Sequence, residues 1–232
     1  MLPDFNEYSY ILESKNIKNT KVIDKCILFT DIEKSSELWR DNDDNMYKCI
    51  LKHEDQIFKL CEKYSGFVIK SIGDAYMITF DSLLDAVNFS INIQHENIKT
   101  PIKVGNKNIK IRIGFSYGEV YEYKSDRQNK TMLDYFGNIV NTASRIESKI
   151  SESGSFAFSY DNIDDDEKDK IIKLLNSKCK SYQILNYSDN CKLDKHRKRS
   201  GRLLSDTHNY ICKPISKLNG VDNVIIYKID FI

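Results

Sequence analysis

Phe67-Val68-Ile69-Lys70-Ser71-Ile72-Gly73-Asp74-Ala75-Tyr76-Met77-Ile78-Thr79-Phe80 reads as a β-hairpin. Phe67-Val68-Ile69 is one strand and Ala75 to Phe80 the next. Ser71-Ile72-Gly73-Asp74 supplies the turn residues between them. An acid therefore sits at the bend of an otherwise apolar ribbon. Upstream, Cys26-Ile27-Leu28-Phe29-Thr30-Asp31-Ile32 repeats the theme, a buried-type strand over Lys25 to Phe29 that ends at an aspartate. A lone carboxylate is costly to bury unless something compensates it, and a metal ion is a common compensation. Each acid also has an ordinary use. Asp31 suits the N-cap of the helix that follows, and Asp74 suits a Gly-Asp turn.

Helical periods flank these strands. From Glu33 to Tyr64 the apolar positions Leu38, Trp39, Met46, Ile50, Ile57, Phe58 and Leu60 predict one or two amphipathic helices, with a break near Asp41-Asn42-Asp43-Asp44. Leu83 to Ile98 is helical, with Asp81-Ser82 as its cap. Ile109 to Ser116 alternates as a strand, and Gly118 to Tyr123 extends it or pairs with it. Residues 124–133 read as a polar loop and Tyr135 to Ile150 as a helix. Further on, Phe156-Ala157-Phe158 is a strand and Asp164 to Asn176 a charged helix. Tyr182 to Leu185 and Val224 to Ile229 are terminal strands.

The order strand, helix, strand-strand, helix, strand gives an α+β class with a ferredoxin-like, split βαβ layout. A largely antiparallel sheet with helices packed on one face is expected. Residues 1–20 are polar and irregular, a tail or strap. Residues 21–232 read as a single domain with an inserted loop around 186–212. That loop contains the basic run Lys192-Leu193-Asp194-Lys195-His196-Arg197-Lys198-Arg199-Ser200-Gly201-Arg202 and shows no regular element.

Composition bounds the partners. The chain has 232 residues, 41% of them hydrophobic, enough for a packed core. Its 35 basic and 34 acidic side chains leave a net charge of +1, so no global field draws it to nucleic acid or an anionic membrane. Six cysteines lie without CxxC spacing, which argues against a zinc site and for a reducing, cytoplasmic setting. No targeting pattern opens the chain, and no run reaches the roughly 18 apolar residues of a transmembrane helix.

The third informative stretch is Asp134-Tyr135-Phe136-Gly137-Asn138-Ile139-Val140-Asn141-Thr142-Ala143-Ser144-Arg145. On a helix, Asn138, Asn141 and Arg145 fall at i, i+3 and i+7 on one face. Such a face either meets solvent or offers amides and a forked cation to a phosphate.

Together these stretches resemble the class III nucleotidyl cyclases, the adenylate and guanylate cyclase catalytic domain. Phe29-Thr30-Asp31-Ile32-Glu33-Lys34-Ser35-Ser36-Glu37-Leu38-Trp39 looks like the first metal motif in its bacterial, fungal and kinetoplastid form. Lys70-Ser71-Ile72-Gly73-Asp74 is similar to the second. Arg112-Ile113-Gly114-Phe115-Ser116-Tyr117-Gly118 resembles the strand-turn, and residues 134–145 resemble the Asp…Gly-Asn…Asn…Ala-Ser-Arg signature. The resemblance runs in order from about Lys25 to Ser153, and more loosely again from Gly220 to Ile229.

The resemblance implies roles residue by residue. Asp31, Asp74 and the Ile32 carbonyl would hold two Mg²⁺ or Mn²⁺ ions. Lys70 and Asp134 would read the base, and that pair is the adenine-selecting version. Asn141 would orient the ribose, and Arg145 would neutralise charge on the α-phosphate. Lys34, Ser35, Ser36 and Lys217 would contact phosphates. The implied reaction converts ATP to 3′,5′-cyclic AMP and pyrophosphate in a homodimer whose two sites are shared across the interface.

Three departures stand out, one of them the 124–133 loop, which offers Arg127 and Lys130 around where another phosphate-contacting basic residue is expected. Lys34 replaces a frequent glycine, and Lys217 lies a few residues from where a phosphate-binding lysine is usual. The competing readings are a cyclase for another nucleotide, cyclic GMP or a cyclic pyrimidine nucleotide, and a non-catalytic nucleotide-binding module. A nucleic-acid binder using residues 192–202 is a further alternative, not the expected one.

Overall fold

The β1 strand, Thr20–Ile32, forms the spine of the sheet. The structure is a computed structural model that describes residues 20–127, 130–179, 181–187, 208–213 and 224–230. The expected tail, the basic run 192–202 and Lys217 lie outside the described residues.

After β1 come α1 (Ser35–Asp41) and α2 (Asp43–Lys63), broken at Asn42 as the acidic stretch predicts. The break is capped: the Asn42 side chain accepts a hydrogen bond from Asn45 N–H and restarts the helix. The hairpin follows as β2 (Phe67–Ile72) and β3 (Ala75–Phe80), then α3 (Leu83–Lys99) with Ser82 as its cap. The short β4 (Lys103–Val104) and β5 (Lys107–Asn108) pair only with each other. β6 (Ile111–Arg127) and β7 (Lys130–Phe136) form a second hairpin. Then come α4 (Asn138–Lys149), β8 (Phe156–Tyr160), α5 (Asp165–Lys178), β9 (Ser181–Tyr187), β10 (His208–Lys213) and β11 (Val224–Asp230).

Among the described residues, nine strands form one sheet in the order β10-β9-β11-β8-β6-β1-β3-β2, with β7 paired to β6. It is largely antiparallel, as expected; among the described strands only β6–β8 and β9–β10 run parallel. The α+β class and packed helices match the reading of the sequence.

Three details differ. Residues 124–133 are not simply a polar loop, because β6 continues to Arg127 and β7 starts at Lys130. The helix expected from Tyr135 begins at Asn138. Gly137, at φ 126°, supplies the positive backbone angle that ends β7 and starts α4. Finally, His208–Lys213 forms a strand inside the range expected to lack one. Its backbone pairs in parallel with β9, an arrangement no local period advertises.

The sheet is covered on both sides rather than one. On one face, Cys26, Leu28 and Ile32 of β1 join Ile78, Phe115, Phe156 and Phe158, under α2, α3 and α5. Rings stack through this core, with centroids 5.1 Å apart for Phe115 and Phe158 and 5.0 Å for Phe158 and Tyr227. On the other face, Ile27, Met77, Val120 and Tyr135 pack against Ile139 and Ala143 of α4. Alternation along β1 sends Phe29 and then Asp31 to this second face.

The close approach of α4 depends on Gly114. A Cβ there would lie 2.0 Å from the Glu147 backbone nitrogen, so only glycine admits the helix at this depth.

His53 is a polar group inside the first core. It is fully buried on α2, edge-on to Tyr76 with centroids 5.7 Å apart, and neither ring nitrogen has a hydrogen-bond partner among the described residues. Burial pushes its pKa down to about 4. In the unfolded chain it titrates near 6.5, so the stability present above that pH is lost as pH falls toward 4. Between pH 7.5 and pH 5 the wild type should lose about 2 kcal/mol through this group. Urea unfolding at the two pH values should show a drop smaller by that amount in His53→Leu. An equal drop in both proteins would mean that His53 takes up its proton as readily in the folded protein as in the unfolded chain.

Candidate active site

Asp31 is the last residue of β1 on the α4 side, directly opposite Arg112 on β6. Arg112 Nη2 donates to Asp31 Oδ2. Asp74 reaches the same place from the β2–β3 turn. Its Oδ2 accepts from the Ile32 amide at 3.3 Å, and the side chain is buried. Burial is the main cause that raises the Asp74 pKa, and the Asp31 charge adds to it; the Ser35 hydroxyl and the Ile32 amide pull against both. The hairpin thus brings two mutually repelling carboxylates together at one end of the sheet. Oxygen donors of this kind suit a hard divalent cation such as Mg²⁺ or Mn²⁺.

Lys70 and Asp134 meet across 64 positions of sequence. The ammonium lies 2.8 Å from Asp134 Oδ1 and 2.7 Å from Oδ2. A bulge between Val68 and Lys70 makes this possible. It shifts the register so that Lys70 stands opposite Met77, on the α4 side of the sheet, where β7 carries Asp134. The side chains are 41% and 29% exposed, so the pair contributes about 0–1 kcal/mol and can be parted at little cost.

On α4, Ile139, Thr142, Ala143 and Ile146 face the sheet, while Asn138 and Asn141 are exposed and Arg145 is half-buried. Arg145 and Glu147 point away from each other, roughly 200° apart around the helix axis. Glu147 turns inward to Arg112, with Nη2 to Oε1 at 3.2 Å. Burial raises the Glu147 pKa to about 7, and Arg112 opposes that shift. The structure therefore joins Asp31, Ile32, Asp74 and Ser35, and separately joins Lys70 with Asp134.

In the sequence Arg112 stands only within a strand-turn, and Glu147 lies in no motif. The signal lay in register: Arg112 faces Asp31 only if β1 and β6 pair as they do.

Lys34 and Ser36 are exposed at the start of α1, and Ser35 is half-buried. Lys34 adopts φ 56°, ψ 31°. The lysine thus keeps the left-handed conformation a glycine would favour, at a cost of roughly 1 kcal/mol. Beside it, Lys107 and Lys110 line an open pocket of about 340 Å³ with Glu33 and Glu37.

Comparison with known proteins bears on this geometry. The family described as Adenylate and Guanylate cyclase catalytic domain matches residues 17–159. The adenylate cyclase of Podospora anserina is 29% identical over 156 residues, 60% of this chain but 7% of that protein. Receptor-type adenylate cyclase B of Leishmania donovani is 38% identical over 73 residues, 32% of this chain and 6% of that protein. The chain thus spans a small part of the curated relatives it matches.

Among solved structures, the guanylate cyclase domain of RhGC from Catenaria anguillulae, in complex with GTP, aligns at TM-score 0.61 and 21% identity. It covers 91% of this chain and 98% of that one. The adenylyl cyclase CyaB from P. aeruginosa aligns at TM-score 0.59 and 18% identity, covering 91% and 95%. At these identities the structures speak for the fold. No helix among the described residues is long and apolar enough to cross a membrane.

The left-handed Lys34 yields a test that separates folding from binding. Lys34→Gly should have a melting temperature equal to or above wild type, because the backbone strain is relieved. Its KM for nucleotide should rise if the ammonium contacts phosphate. A melting temperature several degrees lower would show that Lys34 holds the loop.

Proposed function

The chain belongs to the adenylate and guanylate cyclase catalytic domain family, and we propose that it converts ATP to 3′,5′-cyclic AMP and pyrophosphate in a homodimer. The observation that carries the choice of base is the Lys70–Asp134 pair, a donor and an acceptor placed side by side. Lys70 would donate to adenine N1, and Asp134 would accept from the N6 amino group. Asn141 would orient the ribose so that its 3′-oxygen faces the α-phosphorus. Attack there forms the cyclic ester and expels pyrophosphate, and Arg145 would neutralise the charge that builds on the α-phosphate.

Asp31, Asp74 and the Ile32 carbonyl would hold two Mg²⁺ or Mn²⁺ ions, which supply Lewis-acid chemistry to the 3′-oxygen and the phosphates. Among the described residues no group of three His, Cys, Asp or Glu side chains is arranged for a metal, so substrate oxygens would complete the shell. Lys34, Ser35 and Ser36 would meet the β- and γ-phosphates. The opposed directions of Arg145 and Glu147 support a composite site. The metal end of one copy would work with Lys70, Asp134, Asn141 and Arg145 of the other.

The test is a product profile. Purified protein with Mg²⁺ or Mn²⁺ and each of ATP, GTP, CTP and UTP should make cyclic AMP as its main product. Lys70→Glu combined with Asp134→Cys should shift the preference toward GTP, since one mismatched buried polar group costs about 1–3 kcal/mol. Cyclic GMP as the main wild-type product would overturn the adenine assignment. An unchanged ATP/GTP ratio in the double variant would show that the base is read elsewhere.

A further inference from the structure

Arg112 stands between carboxylates from two different elements. Its Nη2 donates to Asp31 Oδ2 across the β1–β6 ladder and lies 3.2 Å from Glu147 Oε1 on α4. The two neighbours are served unequally. Asp31 has the hydrogen bond. Glu147 Oε1 is at ion-pair distance but makes no hydrogen bond, and Arg112 Nε is buried without an acceptor among the described residues. A small turn of the guanidinium away from Asp31 would bring an orphaned donor toward an orphaned acceptor. Among the described residues Asp31 and Glu147 share this one guanidinium, and Asp74 is close enough to feel the Asp31 charge.

We propose that Arg112 is the counter-cation of Asp31 in the metal-free protein, and that Glu147 is the acceptor to which it turns when a divalent cation takes the Asp31 oxygens. The proposal rests on reading Asp31 and Asp74 as metal ligands. Both Arg112 and Glu147 are positioning residues in this scheme, acting on the metal end of the site through Asp31. A fixed cation so near a metal would repel it. Glu147 removes that repulsion by drawing the guanidinium aside, without moving α4, whose distance from β6 is set at Gly114.

Competition and release carry opposite signs at two adjacent residues, which a merely structural cluster would not. Removing Arg112 should tighten metal binding and weaken the metal-free fold. Removing the Glu147 charge should weaken metal binding, because Arg112 then stays on Asp31. Supporting groups one contact away from a metal commonly change its affinity by about 10–100-fold when altered.

The experiment is a Mn²⁺ titration of the full chain without nucleotide, following free Mn²⁺ by electron paramagnetic resonance, with melting temperature measured with and without Mn²⁺. Glu147→Gln should bind Mn²⁺ about tenfold more weakly than wild type. Arg112→Gln should bind it more tightly, with a lower melting temperature that Mn²⁺ restores. Glu147→Gln preserves shape and removes a charge, so its affinity tests the proposal even if Arg112→Gln fails to fold. Unchanged or tighter binding in Glu147→Gln, or weaker binding in a folded Arg112→Gln, would overturn the proposal. Asp31→Asn separates the premise from the proposal. Equal Mn²⁺ binding by Asp31→Asn and wild type would overturn the metal-ligand reading, and the proposal with it. Binding lost in Asp31→Asn but indifferent to Arg112 and Glu147 would overturn the proposal alone.

Discussion

The antiparallel pairing of β1 with β6 is the constraint from which the rest follows. It runs without interruption from Thr20 opposite Tyr123 to Ile32 opposite Ile111. Because side chains alternate along it, one register decides which residues enter each core. Cys26, Leu28 and Ile32 go to the face under α2, α3 and α5. Ile27 and Phe29 go to the face under α4, and Asp31 follows them. A slip of one residue would exchange the two sets and remove Asp31 from Arg112. The same register puts Gly114 where α4 needs to approach, so the helix bearing Asn141 and Arg145 is placed by the ladder that places Asp31.

Much of this was legible in the sequence because the signals were local. The hairpin over residues 67–80, the break at Asn42 and the Ser82 cap each rest on turn or capping chemistry within a few residues. The strand over Lys130–Phe136 was not legible. Its partner, the far end of β6, extends beyond the part that alternates cleanly, and its polar residues look like a loop until they pair. His208–Lys213 was hidden for a similar reason, since its pairing with β9 is parallel and distant in sequence. The site divides in the same way. Asp31, Asp74, Asn141 and Arg145 stand in recognisable stretches. The contact of Arg112 with Glu147 depends on tertiary register and left no local trace.

Electrostatics then separates two kinds of pair. Lys70 and Asp134 are partly exposed, so their mutual attraction is weak and either can exchange its partner at little cost. Arg112, Asp31 and Glu147 are more enclosed, and unmet hydrogen bonds there cost more. The first pair is suited to exchanging partners, the second cluster to holding charge at the Asp31 end of the sheet.

The central claim is that the groups on α4 and the carboxylates at the end of β1 act together only when supplied by two copies of the chain. Mixing inactive Asp31→Asn protein with inactive Arg145→Ala protein tests it most directly. After subunit exchange, a mixed dimer has one site with every group intact and one site doubly damaged. The account predicts that cyclase activity returns in part on mixing. A mixture that stays inactive although exchange has been verified would contradict it.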